Sequence, residues 1–257
     1  MLEDLIKERL KKLENFKIDE SIYVIGAEQK LYFLQLFKTL ELMGFDSKRL
    51  EAVHFSEVRL PSGKMSSRTG ENILYSDFIE EIKKYAEKEI KKREPGISKN
   101  ELEKRAIKIS IAAMKYSMLK QNANRNIIFK KEDALNFEGD TGPYILYTYA
   151  RASSILRKAK IQPKKQFDIS ELEQKEEELV KKLSNFSEVV LKSYETLNPS
   201  LIANYSYELA KIFNEFYHIC PVIKSKKASF RIALVDAFRQ ILKSSMNLLG
   251  IDVIEKM

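Results

Sequence analysis

The chain of 257 residues has 45 lysine and arginine side chains against 37 acidic ones, a net charge of +8, and 44% of its residues are apolar. This length suits one large domain or two ordinary ones, and the charge favours a polyanionic partner such as nucleic acid. No apolar run reaches the roughly eighteen residues that a membrane span needs. The single cysteine, Cys220, excludes an internal disulfide and fits a cytoplasmic protein. With only two histidines besides this cysteine, we expect no metal site.

The first part of the chain predicts an incomplete α/β fold. After an amphipathic helix over residues 2–13, the apolar run 21–27 predicts a buried strand of a parallel sheet. Residues 31–43 have apolar side chains at helical spacing and stop before Gly44, a typical helix C-cap. Residues 52–58 predict a second strand. Two strands and one helix cannot cover both faces of a sheet, so we expect only part of a Rossmann-like parallel sheet.

The segment from residue 59 to residue 72 combines glycine, proline, hydroxyl and cationic side chains. Gly63 and Gly70 remove the steric bar to unusual backbone angles, so we expect a mobile loop. Lys64 and Arg68 can bind phosphate oxygens, the first as a point charge and the second as a planar fork. Ligands of parallel sheets bind at the carboxyl ends of strands, which is where this loop begins. On composition alone, however, a solvated basic loop is the stronger interpretation.

Beyond this loop the pattern predicts helices and no strand. The first predicted helix covers residues 76–93, and its basic side is either a surface that follows a phosphate backbone or a solvated helix face. Ser98 with Glu101, and Ser170 with Glu173, form capping boxes at two later helix starts. The lysines of the basic side are Lys83, Lys84, Lys88, Lys91 and Lys92.

From residue 137 onward the sequence predicts a second unit that is entirely helical. Its first helix has an apolar face, and the opposite face carries Tyr144, Tyr147, Arg151 and Lys158. Three further apolar stripes at helical spacing follow, and together these helices predict a bundle.

The chain has two histidines and one cysteine whose chemistry could be catalytic. His54 lies in the second predicted strand and is interpreted as packed there rather than as a catalytic base. His218 and Cys220 flank an apolar stripe and are interpreted as structural, because no motif supports the alternative of a Cys–His nucleophile pair.

Five blocks of the chain resemble the arginyl-tRNA synthetases, a family of class I aminoacyl-tRNA synthetases. Residues 53–55, followed by Leu-Pro-Ser-Gly-Lys-Met-Ser-Ser-Arg-Thr-Gly at 60–70, resemble that family's version of the KMSKS loop. The second lysine of the general KMSKS pattern is Ser67 here, which removes one phosphate contact. The HIGH signature and most of the family's arginine pocket are not found in this chain. The other four blocks are residues 23–29, 137–151, 207–222 and 248–257.

The resemblance implies the carboxyl-terminal half of such an enzyme. Residues 1–72 would be the end of the catalytic Rossmann domain, residues 73–136 a helical stem-contact region, and residues 137–257 a helical anticodon-binding domain of the DALR type. The fold class is thus an α/β fragment followed by mainly α structure. The implied reaction activates L-arginine with ATP, accompanied by Mg²⁺, and transfers it to tRNA(Arg) in the cytoplasm. A separate N-terminal half with the HIGH signature is the further implied partner, and the chain alone is expected to be inactive.

The resemblance also implies roles for individual residues. The catalytic residues, which would stabilise the leaving pyrophosphate, are Lys64, Ser66, Ser67 and Arg68. The residues implied to contact ATP or arginine are Gly26, Gln29, Gly63 and Met65. Gln29 suits the polar start of a helix equally well. The residues implied to bind the anticodon, with unstacked bases on aromatic rings, are Tyr144, Tyr147, Arg151, Tyr217 and Met257. Packing between helices is the alternative for each of these tyrosines.

Two other functions stay open on the sequence. The chain could be a tRNA-binding paralogue without a catalytic role, although the intact loop from Lys64 to Gly70 argues against this alternative. It could also be a structural or assembly protein whose basic charge serves contacts with a partner.

Overall fold

The computed structural model describes residues 8, 11, 15, 18–59, 61, 75–159 and 171–257. Of the helix expected over residues 2–13, the structure describes only Glu8 and Lys11, and both are helical. Most of the glycine-containing loop lies outside the described residues. The chain divides into two compact units. The first contains Met1–Val58 and Ala123–Ile127, and the second contains Arg59–Asn122 and Ile128–Met257.

The first unit contains a small parallel sheet covered by one helix. Strand β1 (Ser21–Gly26) pairs in parallel with strand β2 (Leu50–Phe55). Helix α1 (Lys30–Leu42) follows β1 after a single 3-10 turn and buries Leu36 and Leu40 against β2. The predicted succession of strand, helix and parallel strand is confirmed.

The predicted burial of β1 is wrong. Ile25 is buried, but Val24 on the opposite face of the strand is 68% exposed. Alternate side chains of a strand point to opposite faces, and among the described residues only the face toward α1 is covered. The predicted end of α1 is confirmed, because Gly44 has a φ of +86°, the left-handed backbone that a helix C-cap commonly adopts.

Two very short strands were not predicted. Strand β3 (Val58–Arg59) and strand β4 (Ile127–Ile128) form a second two-stranded sheet. Beside it, the N–H of Phe129 donates to the carbonyl of Arg59 at 2.8 Å. The prediction of no strand after the loop is therefore wrong. A strand of two residues is too short to show the alternation of apolar and polar side chains by which a strand is predicted.

In the second unit, helix α2 (Tyr75–Arg93) packs against helix α3 (Lys99–Leu119). Ser98 is the N-cap of α3, and its hydroxyl accepts from the N–H of Glu101 at 3.4 Å, as predicted. The carboxylate of Glu101 accepts from Arg105 Nε at 2.8 Å. The predicted capping box is therefore only half formed, because the Glu101 carboxylate is engaged one turn further along α3 and not with the N–H of Ser98.

The basic side expected on α2 is partly neutralised. Lys83 Nζ lies 3.2 Å from Glu103 of α3, and Lys92 Nζ lies 2.6 Å from Glu89. Lys83 is therefore directed at α3, and the five lysines do not form a uniform cationic surface.

After α3 comes the short helix α4 (Lys131–Ala134), and from residue 137 onward the chain is a helical bundle, as predicted. The helices of the bundle are α5 (Gly142–Ala159), α6 (Gln174–Ser184), α7 (Phe186–Glu195), α8 (Ser200–Ile219) and α9 (Ala228–Leu248). Helices α5, α8 and α9 pack together, and Phe213 stacks on Phe238 with ring centroids 3.8 Å apart. At the start of α5, Gly142 passes so close to α3 that a Cβ there would overlap the carbonyl of Ala112.

Helix α6 begins later than predicted. Glu173 is its N-cap and forms a capping box with Glu176, whose carboxylate accepts from the N–H of Glu173 at 2.8 Å. The predicted box placed Ser170 at the N-cap and is wrong in this respect, and Ser170 itself lies outside the described residues. The carboxylate of Glu173 accepts the backbone N–H that a serine hydroxyl accepts at other caps. Glutamate is not among the residues usual at an N-cap, so this cap was not predicted.

Candidate functional site

The residues of the first unit that were expected to contact ATP or arginine lie where β1 ends. Gly26 is the last residue of β1, and the carboxylate of Glu28 folds back into the space that a Cβ would need there. Gln29 is the exposed N-cap of α1, and its side chain makes no capping hydrogen bond. The remaining members of this predicted site lie outside the described residues; they are Gly63, Lys64, Met65, Ser66, Ser67 and Arg68.

Two adjoining clefts of the second unit bring together all five residues expected to bind an anticodon. The larger cleft has a volume of about 760 Å³ and the smaller cleft about 570 Å³. Tyr147, Arg151 and Met257 line both clefts, whereas Tyr144 lines the smaller one and Tyr217 the larger. The bundle thus joins α5, α8 and the segment after α9 at one place.

Arg151 stands between two tyrosine rings. Its Cζ lies 4.8 Å from the ring centroid of Tyr147 and 5.7 Å from that of Tyr217, both within the range of cation–π attraction. One of its nitrogens, Nη1, donates to Asn214 Oδ1 at 2.5 Å. A guanidinium has several N–H donors in a rigid plane, so this fixed group keeps donors for a ligand in either cleft.

Asn214 of α8 fixes the polar face of α5. Its Nδ2 donates to the hydroxyl oxygens of Tyr144 at 2.8 Å and Thr148 at 3.0 Å, while its Oδ1 accepts from Arg151. Asn214 was not predicted as a site residue from the sequence. The available signal was a polar amide next to an apolar stripe, three positions before Tyr217.

The larger cleft is positively charged. Its lining contains five cationic side chains and one carboxylate, that of Glu255. Such a lining attracts the phosphates of a polyanion, while the tyrosines beside it offer stacking surfaces. Only Arg151 of these cations was expected at the site, although Lys158 was predicted on the same helix face. The five cationic side chains are Arg151, Arg157, Lys158, Lys224 and Lys256.

A buried ion pair fixes the loop 221–224, which forms one side of the larger cleft. Arg231 of α9 donates from Nη1 to the carbonyl of Pro221 at 2.9 Å and from Nε to Glu176 at 2.6 Å. Glu176 is fully buried and Arg231 is 2% exposed. Burial raises the pKa of Glu176, but hydrogen bonds from the Glu173 N–H and from Arg231 outweigh burial and hold the pKa below its usual value.

The segment before α5 is anchored to α3. The hydroxyl of Tyr116 donates to Asp140 at 2.5 Å, and Lys120 Nζ donates to the other carboxylate oxygen of Asp140 at 3.0 Å. Burial, and then the bond to Asp140, raise the pKa of the Tyr116 phenol. This anchor lies next to Phe137 and Glu138, which line the smaller cleft.

The side chains considered for other chemistry show no catalytic arrangement. Burial, and then the hydrogen bond to Glu173, raise the pKa of Cys220 to about 11, so its thiol is protonated at neutral pH and is a poor nucleophile. His54 Nε2 is buried and hydrogen-bonds to none of the described residues. The described ranges contain no group of three or more metal-ligating side chains that could hold an ion. Within the same ranges no helix is long and apolar enough to cross a bilayer.

Comparison with known proteins gives two family matches in succession along the chain. Residues 4–131 match the model described as tRNA synthetases class I (R), catalytic domain. Residues 145–257 match the model of the DALR anticodon binding domain. The second match contains both walls of the larger cleft.

Individual relatives agree with these matches. The arginine–tRNA ligase of Pyrococcus abyssi is 41% identical over 250 residues, which are 93% of this chain and 40% of that protein. The arginine–tRNA ligase of Clostridium acetobutylicum is 39% identical over 252 residues, which are 96% of this chain and 44% of that protein. The chain therefore spans about two fifths of the length of these relatives.

Solved structures show the same fold. The arginyl-tRNA synthetase of Thermus thermophilus superposes with a TM-score of 0.85 at 29% identity, covering 93% of this chain and 41% of that one. The Plasmodium falciparum arginyl-tRNA synthetase superposes with a TM-score of 0.83 over 98% of this chain and 44% of that one. At 24% identity the second likeness concerns the fold alone.

Proposed function

We propose that this chain, which belongs to the arginyl-tRNA synthetase family, recognises the anticodon of tRNA(Arg) through the two clefts of its helical bundle. The observation that carries this proposal is the convergence of Tyr144, Tyr147, Arg151, Tyr217 and Met257 on these clefts. The match of residues 145–257 to an anticodon-binding domain supports it.

The clefts offer what a single-stranded loop requires. Proteins read unstacked bases by stacking them on aromatic rings or guanidinium planes and by bonding their edges. Tyr147 and Tyr217 supply the rings, and Arg151 between them supplies a fixed plane with donors. Lys224 and Lys256 at the larger cleft supply charge for the flanking phosphates.

A pair of tyrosine substitutions tests this proposal. Tyr147→Ala should weaken binding of a tRNA(Arg) anticodon stem-loop RNA by a factor of about 5 to 150, since stacking contributes about 1–3 kcal/mol per base. The matched control is Tyr194→Ala, because Tyr194 on α7 is 66% exposed and lines neither cleft. Equal affinities of the two variants, measured at the same salt concentration, would contradict the proposal.

We propose further that the chain contributes to arginine activation by ATP. The match of residues 4–131 to a class I catalytic domain supports this role. Lys64 and Arg68 would then neutralise the pyrophosphate, and Ser66 and Ser67 would donate hydrogen bonds to it. Gly63 would give the loop the freedom to close over ATP, which is bound with Mg²⁺ as substrate.

The proposed substrate site has three other members, one in this loop and two near the end of β1. Met65 belongs to the loop itself, while Gly26 and Gln29 would contact ATP or arginine from the strand end. In active enzyme, Lys64→Ala should abolish most ATP–pyrophosphate exchange while leaving anticodon stem-loop binding intact. Unchanged exchange would favour a tRNA-binding role alone.

Activity is proposed to require a second polypeptide, the N-terminal half that carries the HIGH signature. Two features of the first unit support an association there. Its sheet has only two strands among the described residues, and large apolar side chains beside it are exposed. Exposed apolar surface and open strand edges are favourable binding surfaces. The exposed side chains are Ile22, Val24, Leu31, Leu34 and Leu42.

Mixing the chain with such a half and assaying arginine transfer to tRNA tests this requirement. We expect activity only in the mixture, and full activity of the chain alone would contradict it. The division into a catalytic fragment (1–72), a stem-contact region (73–136) and an anticodon-binding domain (137–257) belongs to the same proposal. So does a cytoplasmic location, where charged tRNA is consumed.

A further inference from the structure

The segment after α9, residues 249–257, forms one side of the clefts and is called the wall segment here. It contains neither helix nor strand. Leu249, Ile251 and Ile254 are nevertheless buried, and Met257 lines both clefts. Backbone hydrogen bonds hold the start of the segment, where the N–H groups of Gly250 and Ile251 donate to the carbonyls of Asn247 and Met246 at 2.9 Å. The position of the later residues depends on their own buried side chains and on side chains of neighbouring helices.

Two carbonyl groups of the wall segment are held by cationic side chains. Lys115 Nζ of α3 donates to the carbonyl of Gly250 at 2.5 Å. Arg157 of α5 donates to the carbonyl of Glu255 at 3.2 Å. The first bond lies at the turn where the chain leaves α9, since Gly250 has a φ of +66°. A change of direction at this turn would displace every later residue of the segment.

Lys115 acts at a distance from the ligand surface. It lines neither cleft, whereas Arg157 lines the larger one and could also contact a ligand directly. Lys108 of α3 also reaches the wall segment, but its ion pair with the exposed Asp252 is 3.5 Å long, and exposed pairs contribute little. Lys115 can therefore affect the binding of a cleft ligand only by changing the position of the wall segment.

We propose that Lys115 is a positioning residue that places Met257 in the two clefts by holding the carbonyl of Gly250. This inference rests on the proposed binding of an anticodon loop there. It assigns a role in RNA recognition to a side chain of α3, a helix that lies outside the matched anticodon-binding domain.

The first test needs no RNA. The chain has seven methionines, and ¹³C-labelling of their methyl groups gives each a separate NMR signal, with that of Met257 assigned from the M257L variant. Lys115→Met keeps the length of the side chain but removes the donor; it adds one methyl signal of its own and should shift the assigned Met257 signal. Lys104→Met, an exposed lysine of the same helix, is the control and should leave the signal unchanged.

The second test measures RNA affinity. K115M should weaken binding of the tRNA(Arg) anticodon stem-loop about tenfold, the order expected when a charge-assisted hydrogen bond is lost. K104M removes the same charge and therefore reports the general electrostatic effect. In an M257A background, K115M should change the affinity by no more than about twofold, because coupled residues are not additive. K115R, which keeps the charge and donors, should restore binding.

The outcomes separate this inference from the proposed function. An unchanged Met257 signal in K115M, with K115M and K104M binding alike, would overturn the positioning role. A tenfold loss that persists in the M257A background would overturn it as well. If the unsubstituted chain fails to bind the stem-loop, the proposed function fails, and the methyl spectrum still decides the role of Lys115. Thermal unfolding of each variant shows whether it is folded. K115R replaces the same residue but keeps its donors, so restored binding in K115R also excludes misfolding as the cause.

Discussion

Replacing Arg231 by methionine should destabilise the helical bundle severely. The guanidinium donates to Glu176, Glu173 and the carbonyl of Pro221. Methionine fills similar space but leaves the Glu176 carboxylate, which is fully buried, without its main cation. Lys227 Nζ, at 3.4 Å from Glu176, compensates in part.

The expected loss follows from the cost of breaking a buried ion pair. Removing one partner of such a pair costs about 3–5 kcal/mol, and the remaining contact from Lys227 favours the lower end, about 3 kcal/mol. The control is Lys181→Met on α6, whose pair with Glu177 has side chains 72% and 51% exposed. An exposed helix pair of this kind contributes about 0.3–0.5 kcal/mol.

Urea unfolding followed by far-UV circular dichroism measures this difference, because the helices lie mainly in the second unit. The double variant E176M/R231M should be more stable than R231M, since it leaves no buried charge uncompensated. If R231M and K181M unfold within about 1 kcal/mol of each other, a value typical of exposed pairs, the reasoning is refuted.

Three further predictions concern packing, reactivity and pH. Gly142→Ala should cost about 1–3 kcal/mol or more, because its Cβ overlaps the carbonyl of Ala112, whereas Gly96→Ala, with open space around it, should be nearly neutral in the same unfolding assay. Cys220, with its pKa raised to about 11 by burial, should be alkylated by iodoacetamide at pH 8 far more slowly in the folded chain than in urea; equal rates would contradict its burial. Glu176 has a pKa that its hydrogen bonds lower despite burial, so its stabilisation should be complete above its unfolded value of 4.5 and decline as the pH falls below it. Glu176→Gln should flatten this acid limb, and an unchanged limb would contradict the assignment.

The parts of the fold that local pattern determines were predictable from the sequence. Helix α1 and its stop before Gly44 follow from apolar spacing and from a backbone angle that glycine adopts readily. The same spacing predicted the bundle. The exposure of Val24 could not be predicted, because it depends on which elements cover the sheet rather than on the strand itself.

The candidate site was predictable from resemblance more than from pattern. Tyr144, Tyr147 and Arg151 share a helix face by their spacing alone, but only the packing of the bundle places Tyr217 and Met257 beside them. Asn214 was missed for the same reason. Its hydrogen bonds join α8 to α5, and the sequence of one helix does not indicate which helix packs against it. Side-chain pairing between helices also neutralises Lys83, which spacing alone had placed on a basic surface.

Photocrosslinking tests the central claim most directly. A photoreactive base is placed in the anticodon loop of tRNA(Arg), the complex is irradiated, and the crosslinked peptides are identified by mass spectrometry. If the anticodon loop binds in the two clefts, crosslinks should form to α5, to α8 and to the wall segment, at or beside Tyr147, Tyr217 and Met257. These crosslinks should be lost when Arg151 is replaced by glutamine. Crosslinks confined to other surfaces, such as the lysines of α2, or equal crosslinking of a loop with an unrelated anticodon, would contradict the account.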